Sequence, residues 1–201
     1  MNEMRPGPVP RQRATTQTAD GLPRLKWTVE EFDALAEHGF FTEDDRVELI
    51  GGEFVPMSPK GNRHEVVRGE LGQWLTRRSP ADINVYTEPG WRADPNNYFE
   101  PDIVIFPART GLENLSGPDI LLIIEIAVSS LSFDLALKAK IYASLGVREY
   151  WVVDAKTLET MVHLEPGAQG YGKVASVAPS ETLAPLSLPA LTVSLGALKV
   201  G

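Results

Sequence analysis

A single charge inside an otherwise apolar run constrains this chain more than any other feature of it. Residues 120–127 read ILLIIEIA, with Glu125 as the lone charge. A continuous apolar run of that length is the pattern of a strand covered on both faces. An unpaired ionised carboxylate in such a strand would cost several kcal/mol. Glu125 must therefore be paired with a cation, protonated or bound to a metal, and the run alone does not choose among these.

A second run, DIVIF at 102–106, begins with Asp102 directly after Pro101. Proline can open a strand without spoiling a ladder, so Asp102 can stand at the strand mouth facing a cleft. Taken singly, Pro-Asp is turn chemistry. If the two runs are neighbouring strands, their carboxylates come within reach of each other. Hard cations such as Mg²⁺ or Mn²⁺ take oxygen ligands of this kind while keeping several waters.

The rest of the chain supplies a frame for these two strands. Residues 1–24, rich in Pro, Thr, Gln and Arg, show no apolar periodicity and read as a flexible tail, leaving 25–201 as one domain. Thr28 and Glu31 form the sequence pattern of a capping box, with Val29, Phe32, Leu35 and Ala36 on one helical face to about residue 38. VELIGGEFVPM, around Gly51 and Gly52, is a hairpin signal. From Asn62 to about Arg78, the residues Val66, Val67, Leu71, Trp74 and Leu75 recur at helical spacing. Short strands are expected near 83–88 and 90–94. A helix over 132–145 carries Phe133, Leu137, Ile141 and Leu145 as its buried stripe and closes at Gly146. EYWVVD (149–154) is another strand, with a turn at Asp154 leading into LETMVHL and weaker strand signals in YGKVASV. This order predicts an α/β (α+β) fold with a mixed sheet flanked by helices. The C-terminal stretch, rich in Pro, Ser and Leu, has no assignable role.

Other polar residues are ambiguous by spacing alone. Glu48 and Glu53 flank the Gly-Gly turn and His64 opens the second helix, and each taken singly reads as a surface residue. Asp134, Lys138 and Tyr142 fall on one stripe, so Lys138 by itself reads as half of an exposed ion pair with Asp134. Trp74, Trp91 and Trp151 read as core or sheet-packing residues. The chain has no cysteine, which excludes disulfides, thiolate ligands and a cysteine nucleophile. No phosphate-binding loop, dinucleotide fingerprint, nucleophile elbow or zinc-ligand spacing is present. No apolar run is long enough to span a membrane and no secretory layout opens the chain, so the expectation is a cytoplasmic protein with no membrane partner.

Four ordered pieces together resemble a known family. They are VELIGGEFVPMSP with Arg63 and His64; Glu100-Pro101-Asp102-Ile103-Val104; LLIIEIAVSSLSFD; and Lys138 and Tyr142 followed by Glu149-Tyr150-Trp151-Val152-Val153-Asp154. The chain is similar over roughly residues 28–165 to the Uma-two-type restriction endonucleases (DUF820-like) of the PD-(D/E)XK nuclease superfamily. The resemblance implies a restriction-endonuclease-like core and a Mg²⁺- or Mn²⁺-dependent endonuclease acting on DNA. It gives Asp102 and Glu125 as metal ligands, Glu48 as a further acidic contributor and His64 near the site. The lysine expected two residues after the second acid is absent, that place being Ala127, and the resemblance assigns its role to Lys138. Relatives often carry an aspartate where this chain has Val128. The alternative is an inactive nuclease-fold module that binds nucleic acid or a protein partner, with a homodimer as one form. A net charge of −8 predicts weak binding to DNA without metal.

Overall fold

The computed structural model describes residues 15–17, 21–42, 45–57, 59–128 and 134–200. They divide into two compact units, Met1–Pro56 with Asp94–Asn97, and Met57–Ala93 with Tyr98–Gly201.

In the first unit, β1 (Thr15–Gln17) pairs antiparallel with β2 (Pro23–Leu25), so part of the segment expected to be a structureless tail is a short ribbon. Residues 1–14 and 18–20 of that segment, including Arg5, Arg11 and Arg13, lie outside the described residues. Helix α1 (Val29–Glu37) starts where the capping box is written. The Glu31 amide donates to the Thr28 hydroxyl at 3.2 Å and the Thr28 amide donates to the Glu31 carboxylate at 3.1 Å. Strands β3 (Val47–Ile50) and β4 (Glu53–Pro56) form the expected hairpin. Its two turn residues, Gly51 and Gly52, have φ of 61° and 87°, the left-handed pair that a two-residue turn between twisted strands requires. Rings of Trp27, Phe32 and Phe41 each lie within 5.9 Å of Phe54, giving this unit its own aromatic core.

The second unit is built on α2 (Asn62–Arg78) and a six-stranded sheet. Its strands are β5 (Ile83–Thr87), β8 (Ile103–Pro107), β9 (Leu122–Ala127), β10 (Glu149–Asp154), β11 (Thr160–Gly167) and β12 (Gly170–Val177), while β6 (Trp91–Asp94) and β7 (Asn97–Phe99) lie outside this sheet. The order is β12-β11-β10-β9-β8-β5. β9 and β10 are parallel, and every other pair is antiparallel. A parallel pair needs a crossover, and helical chain supplies it: a π-helical turn at Asp134–Lys138 runs into α3 (Ala139–Ser144).

Alternation along the strands divides the sheet into two different faces. Ile103, Ile105, Leu122, Ile124, Ile126, Trp151 and Val153 form one apolar layer with Val67, Leu71 and Leu75 of α2. The opposite face carries Glu125, and there α3 lays Tyr142 against Tyr150 with ring centroids 5.1 Å apart. The C-terminal stretch is part of the first layer. Leu183, Leu191, Val193, Leu195 and Val200 are all buried in that core.

Three expected core positions move. Val66 is 42% exposed, because the inward stripe of α2 runs through His64, Val67, Leu71 and Leu75. Leu137 is 43% exposed, and α3 buries Ala139, Tyr142 and Ala143 instead. The cause is the π-helical turn, whose wider winding advances each residue by less than an α-helical step and shifts the stripe. Ala36 is exposed, leaving Val29 and Phe32 as the buried residues of α1.

Candidate active site

Asp102 stands directly before β8, and Glu125 lies on the neighbouring antiparallel strand β9. Ile103 pairs with Ile124, Val104 with Ile123 and Ile105 with Leu122, and the Ile126 amide donates to the Asp102 carboxylate at 2.8 Å, so Asp102 lies beside the segment of β9 that carries Glu125. Both acids are buried, at 3% and 5% exposure. They lie where the start of β8 meets the C-terminal half of β9, next to the crossover. The carboxyl ends of parallel strands are the usual ligand position in open α/β sheets.

Each carboxylate has its own set of donors. The Glu125 Oε1 accepts from the Lys138 ammonium at 3.1 Å and from the Tyr142 hydroxyl at 3.0 Å. Lys138 and Tyr142 are one helical repeat apart, and both are buried. Lys138 is thus no exposed partner of Asp134, whose side chain lies outside the described residues. Asp102 accepts from the Lys60 ammonium at 2.8 Å, and its other oxygen accepts the Ile126 amide at 2.8 Å with His64 Nε2 3.0 Å away. Burial pushes the Asp102 carboxyl up, but the His64 hydrogen bond and the Lys60 charge outweigh it and carry its pKa down to about 2. Asp102 is a carboxylate at every ordinary pH.

Lys60 was not singled out by the sequence, although a signal exists. It sits just before the start of α2, where the helix dipole disfavours a cation, so it needs an anion close by. It has two, since its ammonium also contacts Glu88. Glu88 is equally unannounced. It is a non-glycine residue at φ 51°, its amide donates to the Asp102 carbonyl at 3.0 Å, and its carboxylate holds Arg68 at 2.7 Å.

The structure therefore gathers Lys60, His64 and Glu88 around Asp102 and gathers Lys138 and Tyr142 around Glu125, two clusters of the second unit joined through the Ile126 amide. His64 is buried at 6% exposure rather than lying at the surface. Glu48 belongs to the first unit, on β3 opposite Val55, and is also buried, at 2%. Ala127 is buried at the end of β9, and Val128 is packed against the apolar core.

The donor set is of the right kind for a hydrated Mg²⁺ or Mn²⁺. Among the described residues no three His, Asp or Glu side chains form a ready cation cage. Mg²⁺ keeps most of its waters and needs only one or two carboxylates from a protein, and Asp102 and Glu125 are carboxylates of that kind. Lys60 is the competing cation at Asp102.

Comparison with known proteins gives two findings. A family model named Uma2, described as "Putative restriction endonuclease", matches residues 29–197. No curated protein matches the chain. Among solved structures, a putative nuclease belonging to DUF820 from Anabaena variabilis ATCC 29413 superposes with a TM-score of 0.68 over 84% of this chain and 95% of that one, at 15% identity. At that identity the likeness is one of fold.

Proposed function

Because the chain belongs to the Uma2 family, we propose that it is a divalent-metal-dependent DNA endonuclease whose centre comprises Asp102, Glu125 and Lys138, with His64 beside it. The observation that carries this reading is a pair of buried acids on adjoining strand segments, each held by a lysine, with Asp102 bonded to the amide next to Glu125. A bound Mg²⁺ or Mn²⁺ would supply a Lewis acid for the phosphoryl oxygen and lower the pKa of water at the site.

The chain's own residues divide the remaining work. Asp102 and Glu125 provide the oxygens that would hold the ion. The Tyr142 hydroxyl and the Ile126 amide fix the orientation of the two carboxylates. Lys138 places an ammonium in a buried setting, where it can meet negative charge developing on the phosphate with little competition from water. His64, hydrogen-bonded to Asp102, would contact the phosphate. The aliphatic walls of β8 and β9 keep bulk water from the pair.

Plasmid nicking in Mg²⁺, Mn²⁺ or EDTA tests this. Wild type is expected to cut only with metal, and Glu125→Gln to lose cutting by at least about a hundredfold, the scale of removing one electrostatic contact in a transition state. Equal cutting by the two proteins would overturn the site.

A second reading, a nuclease fold that binds without cutting, draws on the two lysines. Lys60 and Lys138 neutralise the acids with no metal present. Calorimetric titration with Mn²⁺ separates the readings: heat that vanishes in Asp102→Asn supports the metal centre, and no heat supports the binding module.

A further inference from the structure

The second unit contains a cleft outside this centre, and its lining is unlike the rest of the chain. It lies between the last turns of α2 and the C-terminal segment and has a volume of about 370 Å³. Arg77, Arg78 and Lys199 line it against one acid, Glu70. The whole chain, by contrast, has 19 Lys and Arg against 27 Asp and Glu. A local excess of cations in an acidic protein marks a place where an anion is favoured.

Two of these cations are held in position. The Arg78 guanidinium stacks over the Trp74 ring, 4.7 Å from its centroid, and Arg77 donates to the Gln73 side chain at 2.9 Å. A guanidinium steadied on an aromatic face keeps its outer N–H groups free for a phosphate and loses less freedom on binding it. Charge at the end of α2 has a bland explanation, since Arg77 and Arg78 also complement the helix dipole. That does not account for Lys199, which comes from a different part of the chain, nor for the cleft itself.

We infer that this cleft is a second DNA contact, a clamp for the phosphate backbone flanking the cleavage centre. This rests on the endonuclease reading and extends it. Helix α2 joins the two places as one rigid element. His64 stands in its first turn and Arg77 thirteen residues on, in its last. At about 1.5 Å of rise per residue that is a separation of about 20 Å, or about six base-pair steps of a duplex. The acidic surface binds DNA poorly, so a basic clamp set to one side holds substrate without crowding cations into the metal centre.

The test compares full-length wild type, Arg77→Gln/Arg78→Gln/Lys199→Gln and Glu125→Gln on a labelled duplex across a salt series, with nicking assayed in parallel. All three substituted side chains are exposed, and a circular-dichroism melt verifies that the triple variant folds. Its affinity is expected to fall about tenfold or more, and the slope of log Kd against log salt to shrink by nearly three, about 0.9 for each of the three lost phosphate contacts. Its nicking rate at saturating DNA should match wild type, so that KM rises and kcat holds. Glu125→Gln should keep affinity and slope while losing nicking. Unchanged affinity and slope in the triple variant would overturn the clamp and leave the nuclease reading intact. Wild type that binds with the expected slope yet never nicks would remove the nuclease reading and keep the clamp, whereas no binding at all would overturn both.

Discussion

Lys138 and Glu125 illustrate why a buried ion pair is a strong constraint and a weak stabiliser. Two charges removed from water regain in mutual attraction roughly what they lose in hydration, but either one left alone is costly. Lys138→Met should therefore destabilise the protein by about 3–5 kcal/mol in a denaturant titration. Lys138→Met with Glu125→Leu should recover most of that loss. A single variant as stable as wild type would mean that the pair does not hold β9 to the helix. Asp102 contributes differently, through pH. Its pKa lies near 2 in the fold, below the ordinary value of 3.8, so the folded state favours the ionised form. The contribution is complete above about pH 4 and is lost as pH falls through the range down to about 2, on the order of 2 kcal/mol in all. Acid unfolding in EDTA should show this limb in wild type and lack it in Asp102→Asn. Glu149 works in the opposite sense, since burial raises its pKa despite hydrogen bonds from Leu186 and Trp151, so ionising it opposes folding.

At the scale of elements, the end of α3 bears on the site. Gly146 sits at φ 83°, its amide donates to the Ala143 carbonyl, and the Val147 amide donates to the Tyr142 carbonyl at 3.0 Å. This closing motif fixes the last turn of the helix whose Tyr142 hydroxyl holds Glu125. A β-carbon on Gly146 would be strained by its left-handed backbone and would stand 3.2 Å from Pro118 Cγ. Gly146→Ala should cost about 1–2 kcal/mol, read as a lower melting temperature. A neutral or stabilising result would show that the helix end relaxes freely. The π-helical turn matters at the same scale. Had the helix run as a regular α-helix with Leu137 inward, the stripe bearing Lys138 and Tyr142 would have turned away from the sheet.

The molecule as a whole depends on its last twenty residues more than their composition suggests. Leu183, Leu191, Val193, Leu195 and Val200 are each at most 5% exposed, in the same layer as α2 and the sheet. Arg63, in the first turn of α2, donates to the carbonyls of Ala155 and Val200 and so ties that segment to the start of the helix bearing His64. Each such apolar side chain is worth about 1.5–3 kcal/mol when buried, so the five together rival the entire stability of an ordinary domain. Truncation after Val177 should abolish cooperative unfolding and leave insoluble or molten protein, judged by solubility and near-ultraviolet circular dichroism. A truncated chain that melts cooperatively would show the segment to be dispensable.

Several features were legible in the sequence because their causes are local. The capping box at Thr28, the Gly51-Gly52 turn, the closure at Gly146 and the doubly covered strands around Asp102 and Glu125 all follow from backbone preferences and short-range periodicity. Burial also required that Glu125 have a partner; the order of motifs implied a metal there and gave Lys138 the role of the missing lysine, and only the structure pairs Lys138 with Glu125. Which face of the crossover helix turns inward was decided only by the tertiary structure, because a π-helical turn breaks the regular repeat on which that reading relied. The same holds for Lys60 and Glu88 at Asp102, brought together from positions 28 residues apart, and for the C-terminal segment. Its apolar residues alternate only over Leu191, Val193 and Leu195, too short a run to announce a strand, and they are placed by the core they cover.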